Sequence, residues 1–292
     1  MKTKKFQKGI FSASLGSIWW GVLGTYYFQF ISFAGTFEVV VHRCIWTSLI
    51  LLITTIYFDK LNTFYTILSN KKNIYILLIT SFLIFGNWST WIYAVSTNRI
   101  IDASYGYFIF PIISVLLGYL FLNEKLNLKR ISSIIIVFFA SIYLVFNNEN
   151  FPWVGIVVAL LWSFYNLLRK KINVETDVGL FIESLFILPL ALIILYFIID
   201  NNFNDFSINN PSTMFLLMLA GPMTVIPLFL YIKGVQLSGL GASGMIFFIT
   251  PTSQFLLGYF YYNEPFSFEK FISFIFIWIA VFIYLKDIYE KN

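Results

Sequence analysis

The stretch Pro111-Ile-Ile-Ser-Val-Leu-Leu-Gly-Tyr-Leu-Phe-Leu-Asn-Glu124 returns later in the chain as Pro251-Thr-Ser-Gln-Phe-Leu-Leu-Gly-Tyr-Phe-Tyr-Tyr-Asn-Glu264. Pro111 answers Pro251, Leu116-Leu117-Gly118-Tyr119 answers Leu256-Leu257-Gly258-Tyr259, and Asn123-Glu124 answers Asn263-Glu264, all at an offset of 140. Apolar helices share leucines by chance. They do not readily share Pro, Gly, Tyr, Asn and Glu in register, so the pattern marks an internal duplication. It divides the chain into two units, 1–147 and 148–292.

Around this repeat the composition is that of a chain dissolved in lipid. Of 292 residues 59% are hydrophobic and 11% charged, and the mean hydropathy is +0.81. Soluble domains carry about 25% charged residues, so an ordinary soluble enzyme and a disordered chain are both excluded. Ten apolar runs follow one another, at 9–31, 37–58, 73–96, 102–122, 130–147, 151–169, 178–199, 212–236, 241–262 and 268–286. Each is about long enough to span a bilayer with some tilt. The first run is too long for the core of a signal peptide and reads as a retained helix.

Counting Lys and Arg sets the orientation. With the N-terminus in the cytoplasm, 16 of the 19 basic residues fall on inside segments, Arg99 and Lys270 fall outside, and Arg43 lies within a run. That positive-inside bias requires an even number of helices with both termini cytoplasmic. The offset of 140 then relates the fourth helix to the ninth. Five helices per unit is odd, so the two units sit upside down to one another. The expected fold is all-α, with ten transmembrane helices as two inverted-topology five-helix repeats, an architecture of secondary transporters.

Charged groups inside such helices are rare and mark function by default. The candidates are Glu38, His42, Arg43, Asp102, Glu183 and Lys233. Glu38 and His42 are four apart and share a helix face. Arg43 lies roughly 9 Å below the outer end of its helix at 1.5 Å per residue. Together with Arg99 and Asp102 these could form one cluster in the outer half. Arg43 and Glu183 stand at the offset of 140, but opposite orientation puts Glu183 in the inner half. A direct pair between them, separate pairs with Asp102, Glu38 or Lys233, and a protonated Glu183 all stay open. The preferred reading is that Arg43 serves an outer gate or anchors a substrate carboxylate, and that Glu183 serves an inner, protonatable site.

Mid-helix aromatics form a second set: Trp20, Trp88, Trp91, Tyr93, Tyr107 and Tyr165, with Asn87 beside Trp88. Rings with a few polar groups suit a pocket for an amphipathic or cationic solute, and equally suit bundle packing. Pro111 and Pro251 break the backbone ladder, as a packing kink or as a cavity wall.

These residues resemble the RarD branch of the EamA-type drug/metabolite transporters over nearly the whole chain. The resemblance rests on Glu38-x-x-x-His42-Arg43-x-x-Trp46, Gly86-Asn87-Trp88, Asp102-Ala103-Ser104-Tyr105-Gly106-Tyr107-Phe108-x-x-Pro111 and Glu124. It continues with Phe164-Tyr165, Arg169-Lys170, Glu183 with Pro189, Thr224-x-x-Pro227-Leu228, Ser238-Gly239-Leu240-Gly241 and Pro251-Thr252. It implies a ten-helix permease of the cytoplasmic (inner) membrane that moves a small organic solute. The family label refers to chloramphenicol sensitivity or resistance. The chain departs from the family pattern at Asp102, Phe110, Asn166, Phe247 and Thr250. Phe110 and Phe247 stand where amides are expected.

The function expected is thus a secondary permease working by alternating access, with a proton as candidate coupling ion. A channel-like pore and a structural or sensory membrane subunit are the alternatives. The chain is not expected to be an enzyme: it has no H-E-x-x-H, no Gly-rich phosphate loop, and one histidine, so a His cluster is impossible. No Walker motif provides for ATP, and the single Cys44 rules out a cysteine-based metal site. No cofactor and no metal are expected. The partners expected are a small-molecule solute and the lipid bilayer, with no nucleic acid and no obligatory protein partner. The site residues named are Glu38, His42, Arg43, Asn87, Trp88, Trp91, Asp102, Tyr107, Tyr165 and Glu183.

Overall fold

The computed structural model describes residues 2–97, 100–146, 153–261 and 268–291. These are helical, with no strand among the described residues. In order, α1 (Lys2–Trp19) runs through a π-helical turn (Trp20–Gly24) into α2 (Thr25–Phe30). Then come α3 (Thr36–Tyr57), α4 (Leu61–Leu68), α5 (Lys71–Ser96), α6 (Ile100–Leu122) and α7 (Leu128–Phe146). The second part holds α8 (Trp153–Lys171), α9 (Thr176–Asp200), α10 (Pro211–Met218) and α11 (Ala220–Ser238). It ends with α12 (Leu240–Ile246), α13 (Ile249–Phe260) and α14 (Phe268–Lys291).

Six segments are long and apolar enough to cross a membrane by length and composition: Thr36–Tyr57, Lys71–Ala94, Thr176–Asp200, Pro211–Ser238, Leu240–Leu257 and Phe271–Glu290. Gly106–Leu122 is a shorter apolar helix. The apolar runs of the sequence all fall on helices. The short α4 sits where the sequence reads as a connection. It forms because Phe64, Ile67 and Leu68 line one face and pack with Leu77, Ile172, Val178 and Ile182, while Asn62 and Thr66 face out. Its leading residue Lys60 is held by Asp177 and by Glu175 at 2.8 Å. Burial alone would lower this ammonium, but the two carboxylates outweigh it and raise it above the usual lysine range.

The helices pair closely in α1 with α11, α5 and α6 with α8, α3 with α9, α6 with α12, and α7 with α14. Small residues permit this, since lipid offers no hydrophobic drive and close backbone contact supplies the attraction. A Cβ on Gly9 would lie 2.7 Å from the Ser238 nitrogen, and one on Gly16 2.8 Å from the Pro227 oxygen, both on α11. On α6, a Cβ at Gly106 would lie 2.5 Å from the Gly155 oxygen of α8.

The two prolines of the repeat behave differently. α6 continues through Pro111 as one helix. At Pro251 the axis is interrupted: α12 ends at Ile246 and α13 begins at Ile249. Pro251 has no N–H to give the Phe247 carbonyl, which takes the Thr250 N–H instead at 2.9 Å. The start of α12 is closed by a carboxylate from the other half. Glu124 accepts the N–H of Leu240 at 2.6 Å and of Gly241 at 2.9 Å, filling donors a helix start leaves orphaned. Gly239, at φ +98°, makes the turn that brings them there.

Gly106→Ala should destabilise the protein by about 1–3 kcal/mol, because backbone faces backbone and neither can yield. Gly86→Ala, whose Cβ would stand 3.4 Å from a Leu161 methyl, should leave the melting temperature unchanged or raise it. Thermal unfolding of the two variants in detergent checks this.

Candidate functional site

A concavity among the helices has a volume of about 560 Å³ including its open mouth. Trp20, Gly24 and Phe28 come from the π turn and α2, Arg43 from α3, and Asn87, Trp88 and Trp91 from α5. Tyr107 of α6, Val158 and Trp162 of α8, and Phe247, Thr250 and Gln254 around the α12–α13 break complete it. The π turn is what brings its own ring here. α1 packs its glycines on α11, the surplus residue is absorbed within the turn, where Gly21 meets Ser253 and Thr250, and Phe28 beyond it reaches Arg43.

Among the described residues Arg43 is the one charged group lining the pocket. It is 4% exposed. Its Nε donates to the Thr224 Oγ1 at 2.7 Å. Its guanidinium carbon lies 4.4 Å from the centre of the Trp88 ring and 4.8 Å from that of Phe28. No carboxylate pairs with it among the described side chains; that of Asp102 lies outside them. Asn87 is spoken for at one end, donating to the Val158 carbonyl at 3.0 Å. The floor is aromatic: Phe247 meets Phe110 at 4.8 Å, Tyr231 at 5.2 Å and Tyr107 at 5.6 Å between ring centres, and Trp20 meets Trp162 edge-on at 5.4 Å.

Trp88 also walls a second, smaller cavity of about 290 Å³ that contains Glu183. Glu183 does not pair with Arg43 or Lys233. Its Oε2 accepts the Tyr165 hydroxyl at 3.1 Å, its Oε1 accepts the Thr80 hydroxyl, and Arg169 Nε stands 3.6 Å away. Arg169 is fully enclosed, gives one N–H to the Thr176 carbonyl at 3.1 Å, and presses against Gly179. Only a glycine at 179 leaves room for it. A pair this deep is held by its additional hydrogen bonds as much as by charge.

Glu38 and His42 form a third group. The Glu38 carboxylate accepts the N–H of Asp205 at 2.8 and 2.9 Å and of Phe206 at 2.9 Å, pinning the loop that follows α9. His42 stacks on Phe206 with centres 4.5 Å apart, and its Nε2 is 3.7 Å from Glu38. Burial and then the Glu38 carboxylate beside it push the Asp205 carboxyl above the usual range.

The profile of the EamA-like transporter family matches residues 7–146 and 152–286. The chain belongs to this family. Within it, the chain falls in the RarD branch. It is 30% identical to Protein RarD of Escherichia coli K12, over 98% of this chain and 97% of that protein. It is 34% identical to an uncharacterised transporter of Vibrio cholerae O1, over 96% and 93%, and 32% identical to the uncharacterised transporter YojE of Bacillus subtilis 168, over 97% and 95%. A solved crystal structure of a protein 14% identical superimposes with a TM-score of 0.71 over 97% of this chain and 98% of that one, a likeness of fold alone. The chain is thus a multi-pass membrane protein of a transporter family.

Among the EamA-like features read from the sequence, the structure brings Arg43, Asn87, Trp88, Trp91 and Tyr107 to one pocket. It sets Tyr165 and Glu183 below it and places Glu38 and His42 apart from both. The cluster expected of Glu38, His42 and Arg43 is therefore split. Arg99 and the Asp102 side chain lie outside the described residues, as do Asn263 and Glu264. Phe110 and Phe247, which stand where the family pattern has amides, pack on each other. The sequence reading missed Phe28, Trp162, Thr224, Thr80 and Arg169 as site residues. Trp162 was signalled by its mid-helix place, and Arg169 stood hidden in a basic triplet at a helix end.

Glu183→Gln or Arg169→Met alone should destabilise by about 3–5 kcal/mol, since each leaves the other charge buried without its partner. The double variant should lose less than the sum of the two. Thermal unfolding across the four-member cycle measures that coupling.

Proposed function

We propose that this chain is a secondary transporter that carries a small organic solute through the pocket at Arg43 by alternating access. The observation that carries the reading is the pocket itself, an aromatic cavity at mid-bundle whose one charged group among the described residues comes from α3 and whose walls come from both halves of the chain. We read the units 1–147 and 148–292 as inverted five-helix repeats, ten spans in all, in the cytoplasmic membrane with both termini in the cytoplasm. The pairing of helices supports this. Exchanging the halves turns α1 with α11 into α8 with α5, and α3 with α11 into α9 with α5, and it returns α3 with α9, α6 with α12 and α7 with α14 to themselves. Tyr107 and Phe247, at the offset of 140, face each other across that axis. Two halves of similar shape can then rock about the pocket and open it to either side.

Alternating access needs one end sealed while the other admits solute. Glu124 on the start of α12 ties the halves together at one end. We assign proton exchange to Glu183. With Arg169 at 3.6 Å, a proton on Glu183 would leave a buried guanidinium without counter-charge. Glu183 therefore takes its proton in a state where Arg169 has moved to water or another acceptor, and its bond to Thr80 of the first half links protonation to the rocking of the halves.

The test compares wild type with Arg43→Ala and Glu183→Gln at matched membrane levels, profiling small molecules inside and outside cells by mass spectrometry. Wild type should redistribute at least one solute, and Arg43→Ala should not. Redistribution left unaltered by Arg43→Ala overturns the pocket as the path. Flux in proteoliposomes that neither saturates nor shows counterflow overturns the carrier in favour of a pore.

A further inference from the structure

The Arg43 guanidinium is arranged as a receptor with one position empty. Its inner edge is fixed, with Nε on Thr224 Oγ1 at 2.7 Å. Thr224 is itself oriented, because its hydroxyl donates to the Ala220 carbonyl at 2.7 Å and so offers Arg43 its lone pairs. The flat faces are covered by Trp88 at 4.4 Å and Phe28 at 4.8 Å. Rotation, stacking and the inner hydrogen bond are all settled; the outer Nη edge faces the pocket. Buried charges are paired or they cost several kcal/mol, and among the described side chains no carboxylate pairs with this one.

We propose that the solute carries a single carboxylate on a flat, apolar body, the carboxylate seated on the outer edge of Arg43. This rests on the reading of the pocket as the transport path. A guanidinium edge matches a carboxylate with two parallel N–H···O bonds. A cationic solute is disfavoured twice: Arg43 repels it, and Arg43 already occupies the face of Trp88 where a cation would sit. A phosphate dianion would need several donors. Around the pocket Asn87 gives an N–H to the Val158 carbonyl, Gln254 gives one to Thr25 at 3.0 Å, and among the described residues no second cation lines the wall. The body follows from the walls. Trp91, Tyr107, Trp162 and Phe247 line them, and aromatic rings pack best on a flat apolar group.

The experiment uses the full-length protein purified in detergent. A small-molecule extract of the cells that make it is divided by ion exchange into anionic, cationic and unretained fractions. Each fraction is added to wild type, Arg43→Gln and Arg43→Lys, and the melting temperature is read. The anionic fraction alone should raise the wild-type Tm by several degrees, should not raise that of Arg43→Gln, and should raise that of Arg43→Lys less. If the cationic or the unretained fraction stabilises wild type and the anionic one does not, the carboxylate assignment falls while the pocket stands. Equal stabilisation of Arg43→Gln by the anionic fraction removes Arg43 from the site. Stabilisation by none of the three overturns the assignment together with the pocket. If Arg43→Gln fails to fold, the choice among fractions made by wild type still decides.

Discussion

A peptide backbone in hydrocarbon has no water to bond with, so each N–H and C=O must be satisfied within the chain. That constraint dictates the helices, and it dictates where they can be interrupted. The Pro251 break is accepted because the Thr250 N–H takes over the freed carbonyl of Phe247. The bare start of α12 is accepted because Glu124 fills it. With the backbone closed off, attraction between helices comes from close approach at glycines such as Gly9, Gly16 and Gly106. Polar side chains are gathered in enclosed groups, among them those around Arg43, Glu183 and Glu38.

Much of this was legible in the sequence, for reasons that differ residue by residue. The helices announce themselves because lipid demands unbroken apolar runs. The offset of 140 announces the duplication because Pro, Gly and Glu in register are not a packing necessity. Five of the named site residues share one pocket, since α5 alone presents Asn87, Trp88 and Trp91 over little more than one turn. His42 and Arg43 were grouped by adjacency, yet neighbours on a helix point about 100° apart. One faces Phe206 and the other the pocket. Arg169 was illegible: a basic residue at a helix end normally reaches water, and only the turn into α9 folds Gly179 and Glu183 over it. Thr224 was illegible as a partner of Arg43 because 181 residues separate them.

The duplication has kept shape and released chemistry. Arg43 and Glu183 occupy matching positions with opposite charge, and each recruits its own hydroxyls: Thr224 for one, Thr80 and Tyr165 for the other. Pro111 leaves α6 whole, while Pro251 goes with a broken helix. The two cavities are likewise unequal, and they share the Trp88 ring as a wall.

The π turn at Trp20–Gly24 has a consequence for how chains of this kind can diverge. A π turn is an α-helix carrying one surplus residue. The surplus residue is absorbed within the turn, so the helix keeps its facing on either side of it, Gly9 and Gly16 on α11 and Phe28 on Arg43. Removing one residue from that stretch would return a regular α-helix with both contacts in place, and would change only the wall that the turn itself supplies, Trp20 and Gly24. A single-codon deletion could therefore rebuild that wall of the pocket in one step, leaving the packing of the bundle beneath it untouched.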